Sequence, residues 1–319
     1  MQRGALFLSA LTAAAAIALT VTPAGGQNAA PSPSPIPVPV EVASNVFFAR
    51  VTVNGVGPFW FTVDTGATLT VIDPSAAARA KLAVQDAGRR GNVGIAAGDM
   101  TMATTTGARI NVAGLPIFAP PTLYVVAVQN NAAYFGHAID GVLGTDFLSP
   151  HIVALDYGAG RVSVLPPART EPAVRQGAAV TFTLEGNVLV APATITLPDG
   201  ERVTARLLID TGSNGALTLT SPFVRRHDLT ARFPSRQQQN AAVGINGTVF
   251  SPVVALTSVA FGDAAIARPN AALSTATAGL DASTDFDGII GAELLRQFTV
   301  TIDYPRRRLI FSPPAPSLR

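Results

Sequence analysis

Beyond residue 40 the chain is written twice, and this limits it to folds in which two like halves close on each other. Phe59-Trp-Phe-Thr-Val-Asp64-Thr65-Gly66-Ala67 is echoed by Ala205-Arg-Leu-Leu-Ile-Asp210-Thr211-Gly212-Ser213. Asp140-Gly-Val-Leu-Gly144 is echoed by Asp287-Gly-Ile-Ile-Gly291, and Leu155-Asp156-Tyr157 by Ile302-Asp303-Tyr304. The paired aspartates stand 146, 147 and 147 residues apart, so three motifs hold one register.

Each copy reads as strand. Apolar and β-branched runs of a few residues are punctuated by Gly, Pro and Asn. Asn54-Gly55 and Asp199-Gly200 are hairpin signals placed 10 and 11 residues before Asp64 and Asp210. Asp73-Pro74 and Ser221-Pro222 predict a short helix in each copy, with Asp73 or Ser221 as N-cap and proline in the first turn. Further short helices are expected at Thr145–Leu148 and Ala292–Phe298. The expected fold class is all-β, an internally duplicated two-lobed barrel architecture with a cleft between the lobes. The lobes are assigned to residues 41–165 and 178–319, joined by a Pro- and Arg-rich linker at 166–177.

Arg3, the apolar run Ala5 to Val21 and the small residues after it describe a secretory signal over 1–26. An uncleaved anchor is the alternative. A Pro-rich linker at 27–40 reads as an extended spacer. The expected location is periplasmic or secreted. With no cysteine, disulfides and thiolate metal sites are excluded. Lys and Arg number 22 against 20 Asp and Glu, a net charge of +2, which makes no field for nucleic acid. Lys81 is the one lysine, so the high sequence pI of about 9.4 reflects arginine and not strong basicity.

The doubled Asp-Thr-Gly carries the chemistry. Four apolar or β-branched residues precede each Asp, so a lone carboxylate there faces a large desolvation cost. Gly66 and Gly212 allow a tight turn and close backbone approach. Thr65 and Thr211 can hold the turn through their hydroxyls. Two such turns meeting about a pseudo-two-fold axis would set Asp64 and Asp210 side by side. Like charges that close cannot both ionise, and one shared proton suits general acid–base work on a water and a carbonyl.

On these motifs the chain resembles the aspartic proteases, specifically bacterial two-lobed members whose halves are similar to the retroviral type. Each Asp is followed 78 or 79 residues later by two aliphatics and a glycine, Val142-Leu143-Gly144 and Ile289-Ile290-Gly291. The resemblance covers about residues 41–313. It implies that the strand ending at Gly144 or Gly291 threads the loop of the catalytic Asp. It also implies that a hydroxyl at the position after Asp-Thr-Gly, present at Ser213 and missing at Ala67, donates to the neighbouring carboxylate. Many pepsin-like members place a tyrosine on the flap over the cleft, and none is found here. The flap candidates are the glycine-rich hairpins around Val93-Gly94-Ile95 and Val243-Gly244-Ile245, which serve equally as surface turns.

Other acidic pairs read structurally. Asp140 and Asp287 sit in Asp-Gly turns, and Asp156 and Asp303 match hairpin polarity. His137, His151 and His227 lack metal spacing, so no metal or other cofactor is expected. Arg306-Arg307-Arg308 reads as a solvated turn and Trp60 as core or cleft wall. The resemblance implies an aspartic endopeptidase acting on a polypeptide substrate in the cell envelope, and the hydroxyl missing at Ala67 leads to an expected optimum around pH 4 to 6, above that of strongly acid relatives. Since one chain supplies both acids, a monomer is expected. The alternative is a non-catalytic peptide-binding or scaffolding protein using the same cleft.

Overall fold

An apolar run from Val46 to Ala49, followed by alternation through Arg50, Val51, Thr52 and Val53, builds the strand Val46–Val53, and the turn Asn54-Gly55, with positive φ at both residues, returns the chain as Val56–Val63. The computed structural model describes residues 34–92, 99–166, 176–233, 239–244 and 247–314. The signal segment 1–26 and most of the 166–177 linker lie outside the described residues. The described residues fall in one compact unit.

The repeat is visible strand for strand. In the first half the sheet order is Val40–Ala43, Val46–Val53, Val56–Val63, Gly141–Leu143, Val71–Ile72, Leu123–Val125, Asp99–Thr105, Gln85–Asn92. In the second half Thr183–Glu185, Val188–Thr196, Arg202–Asp210, Gly288–Gly291, Leu217–Leu219, Asn270–Leu273, Gly247–Ala255 and Gln239–Gly244 follow in the same order. The architecture is the all-β, two-lobed acid-protease fold.

A third sheet of six strands joins the halves. Its order is Ile36–Val38, Arg161–Val164, Ile152–Asp156, Thr299–Asp303, Arg308–Ser312, Ala178–Thr181. At its centre Ile152–Asp156 runs antiparallel to Thr299–Asp303 with Ala154 opposite Thr301. Those two residues are 147 apart, so a two-fold axis through that pair maps the ladder onto itself. Leu155, Val300 and Ile302 from this sheet share one core with Phe47, Phe59 and Phe61 of the first half and Leu189, Leu207 and Ile209 of the second. Burying that continuous core is the dominant stabilising term.

Local details depart from the expected ones. Ile36–Val38, within the Pro-rich segment assigned as a spacer, is a strand paired with Arg161–Val164. Pro37 sits on an edge strand of that sheet, where its missing N–H is tolerated. Asp73 caps the helix Pro74–Arg79 as expected, its side chain accepting from Ser75 N–H at 2.8 Å. The equivalent helix is Ser221–Arg226 with Thr220 at the cap position. Ser221 is therefore not the cap, and its hydroxyl instead donates to Ala276 carbonyl at 2.6 Å. Thr145–Leu148 is helical as expected, and the helix expected over Ala292–Phe298 ends at Leu295.

Candidate active site

Asp64 directly follows the strand Val56–Val63, which pairs in parallel with Gly141–Leu143; Asp210 ends Arg202–Asp210, which pairs in parallel with Gly288–Gly291. The threading strands thus lie directly beside the strands that carry the acids. Asp64 N–H donates to Leu143 carbonyl at 3.1 Å, and Thr145 N–H to Ala67 carbonyl at 2.9 Å. In the second half Gly291 N–H donates to Ala216 carbonyl at 2.8 Å and Ala292 N–H to Ser213 carbonyl at 2.7 Å. A Cβ on Gly144 would stand 2.5 Å from Leu69 backbone carbon, and one on Gly291 would meet Gly215 carbonyl oxygen. Only glycine lets these strands pass so close to the loops of the acids.

The two loops hold each other. Thr65 N–H donates to Thr211 Oγ1 and Thr211 N–H to Thr65 Oγ1, each at 3.1 Å. In turn the Thr65 hydroxyl donates to Ile209 carbonyl at 2.5 Å and the Thr211 hydroxyl to Val63 carbonyl at 2.7 Å. Both threonines are buried. Four bonds related by the pseudo-two-fold therefore clamp the ends of the two acid-bearing strands together.

The clamp brings the carboxyls into one unit. Asp64 Oδ1 accepts from the N–H groups of Gly66 at 2.8 Å and Ala67 at 3.1 Å. Asp210 Oδ1 accepts from Gly212 and Ser213, both at 3.0 Å. The two carboxyls lie close enough that each affects the other's ionisation. A Cβ on Gly66 would stand 2.6 Å from Asp210 Cγ, and one on Gly212 would collide with the Asp64 carboxyl, so each glycine makes room for the opposite acid. Burial pushes both carboxyls above the ordinary 3.8, Asp210 well above it because the Asp64 charge adds to burial. The loop N–H groups pull the other way by stabilising the carboxylates. The pair therefore keeps one proton to a higher pH than isolated aspartates would.

Ser213 differs from its expected part. Its backbone N–H reaches Asp210, but its hydroxyl accepts from Gly215 N–H at 3.2 Å and lies toward Gly291. Ala67 supplies the same backbone donor to Asp64, so the Ala67–Ser213 difference leaves the acids with matched loop donors.

Other expected residues fall outside this unit. Asp140 Oδ2 accepts from Trp60 N–H at 2.8 Å and Oδ1 pairs with Arg79; Asp287 repeats this with Arg206 N–H at 2.8 Å and Arg226. Asp156 accepts from Ala159 N–H and Asp303 from Arg306 N–H, each also pairing with its hairpin arginine at 3.1 Å. Asp140→Ala should cost on the order of 1–3 kcal/mol in urea denaturation by leaving Trp60 N–H unpaired, with the acid pair unaffected. His137 contacts Glu41 at 3.0 Å and stacks on Phe48. Among the described residues no group of three His, Cys, Asp or Glu is placed to hold a metal. Val243 and Gly244 close the strand Gln239–Gly244, paired with Gly247–Ala255; Val93, Gly94, Ile95 and Ile245 lie outside the described residues.

Sequence reading missed three features. Arg79 and Arg226 are themselves 147 residues apart, a signal open to the same register test. Tyr134 hydroxyl donates to Asn214 Oδ1 at 3.0 Å, joining the first half to the loop beyond Asp210. Asn187 answers from the second half, donating to Thr68 carbonyl at 3.3 Å. Finally, the hydroxyls of Tyr157 and Tyr304 are buried; burial raises both phenols, and the charge of the opposite half's acid, Asp210 and Asp64 respectively, adds to it.

Residues 49–147, which hold Asp64-Thr65-Gly66 and Val142-Leu143-Gly144, match a family model described as aspartyl protease. The match supports an aspartic protease family and peptidase activity in general. No curated protein matches the chain.

Proposed function

We propose that the chain is a single-chain aspartic endopeptidase of the two-lobed, bacterial pepsin- and retropepsin-like kind, with Asp64 and Asp210 as its catalytic residues. The observation that carries this reading is the clamped acid pair: two partly buried carboxyls, one from each sequence copy, each set against the glycine of the opposite loop and each raised above the ordinary carboxylate value. A water held between them loses a proton to the ionised carboxylate as its oxygen attacks the peptide carbonyl carbon. The protonated partner gives its proton to the carbonyl oxygen, so a neutral tetrahedral diol forms without a free oxyanion. Collapse transfers a proton to the amide nitrogen, breaks the C–N bond and restores one proton to the pair. Nothing covalent forms with the protein.

The two glycine-rich hairpins are proposed as lids over this cleft, and the N-terminal segment as an export signal that places the enzyme in the cell envelope. A peptide-binding protein without turnover would use the same cleft, but retention of both aspartates with both following glycines favours catalysis. Incubating the purified chain with a diverse peptide library from about pH 3 to 8, read by mass spectrometry, tests the reading. Cleavage is expected with an optimum around pH 4 to 6, where a pair raised above ordinary carboxylates carries one proton. A folded protein that cuts nothing at any pH would instead support the binding reading.

A further inference from the structure

One buried acid takes no part in this chemistry. Asp281 lies in the short helical turn Leu280–Ala282, is 2% exposed, and its Oδ2 has no hydrogen-bond partner among the described residues. By the 147-residue register it corresponds to Tyr134, which in the first half is half-exposed and bonded to Asn214. The second half has put a carboxyl into the protein at the place where the first half puts a phenol at its surface.

The turn that carries it rests on apolar side chains. Leu280 packs on a cluster of Val188, Val190, Leu208, Phe286 and Ile289. Leu208 stands two residues before Asp210 on the same strand, on the same face by strand alternation, and Ile289 lies on the strand threading past it. The turn also packs against the helix Ser221–Arg226. That helix carries Arg225 and Arg226, both exposed, with Arg226 engaged by Asp287; His227 follows it, its pKa lowered mainly by burial. Of the neighbouring acids, Asp285 is exposed and Glu185 faces Arg206 at 3.9 Å. Burial alone raises the Asp281 carboxyl from 3.8 to about 6.

We propose that Asp281 is an acid-dependent fastener: neutral, it seats the 280–282 turn against the sheet that carries Asp210; ionised, it drives the turn from that seat. A buried carboxylate without a partner is strongly disfavoured, whereas the neutral acid is tolerated. The folded chain holds a proton that the unfolded chain releases, so stability falls as pH climbs from about 4 through 6 and levels off above. The gap between 3.8 and about 6 amounts to roughly a hundredfold in the folding equilibrium between acid and neutral pH. The device stands whether or not the chain cleaves peptides.

The test compares denaturation of the full chain with that of Asp281→Asn and Asp281→Ser at pH 4 and pH 7. The acid pair and His227 contribute equally to all three, so their contributions cancel in the comparison. Wild type is expected to lose roughly a hundredfold more in its folding equilibrium than either variant on going to pH 7. Because the readout is the pH-dependent difference, a variant that is uniformly less stable remains informative. Amide exchange at residues 279–283, corrected for the intrinsic pH dependence, should accelerate in wild type between pH 5 and 7 and not in Asp281→Ser. Parallel pH dependence in all three proteins, or exchange in that turn unchanged across the range, would overturn the proposal.

Discussion

Asp64→Asn and Asp210→Asn are each expected to lower kcat/KM by roughly 10³-fold or more while leaving the fold intact. The fold survives because an amide oxygen at either position can still accept from the loop N–H pair, Gly66 and Ala67 or Gly212 and Ser213. The activity does not survive, because asparagine can neither take the water's proton nor give one to the carbonyl. Since the two acids act as one unit, the double variant should be little worse than either single one. Asp156→Asn and Asp303→Asn serve as controls; their carboxyls are spent on hairpin N–H groups and arginines, and activity should persist in the folded fraction. Near wild-type turnover by either Asp64 or Asp210 variant would remove the assignment.

The second large effect is expected at the threonine clamp. Thr65→Val keeps the shape of the side chain but deletes the hydroxyl that accepts from Thr211 N–H and donates to Ile209 carbonyl. Two buried backbone groups then lack partners, at a cost on the order of 1–3 kcal/mol each. Thr211→Val strands Thr65 N–H and Val63 carbonyl in the same way. Thr→Ser retains the hydroxyl and should recover most of the loss. Because the clamp also sets the spacing of the acids, the valine variants should lose kcat even at temperatures where they remain folded. Urea denaturation and peptide kinetics on the four variants check both parts. A fully stable, fully active Thr65→Val protein would show that the clamp is incidental.

Much of this was legible because duplication turns a sequence into two readings of one structure. The 147-residue register that pairs Asp140 with Asp287 is the same register that places Ala154 opposite Thr301 at the centre of the joining sheet. The glycines at 144 and 291 and the turns after Asp64 and Asp210 were marked by residue type, since close backbone approach leaves few alternatives to glycine. What stayed hidden depends on contacts between distant positions. Nothing in Thr65 or Thr211 alone says that each hydroxyl serves the other's backbone. The oxygen of the Ser213 hydroxyl serves its own turn, accepting from Gly215 N–H, which residue type alone does not reveal. Prolines marked 27–40 as a spacer, yet an edge strand accommodates Pro37 once the rest of the sheet supplies a partner. Asp281 carries no motif at all, and only its burial with an unpartnered oxygen sets it apart.

The central claim, that one acid from each copy forms a single reactive unit, is tested most directly by binding. A peptide carrying a hydroxyl-bearing carbon in place of the scissile carbonyl resembles the tetrahedral diol and should lodge between Asp64 and Asp210. Calorimetric titration into wild type, Asp64→Asn and Asp210→Asn is expected to show one molecule per chain, with affinity weakened by roughly 10²-fold or more in both variants. Binding unchanged in either variant, or two molecules per chain, would contradict a shared site.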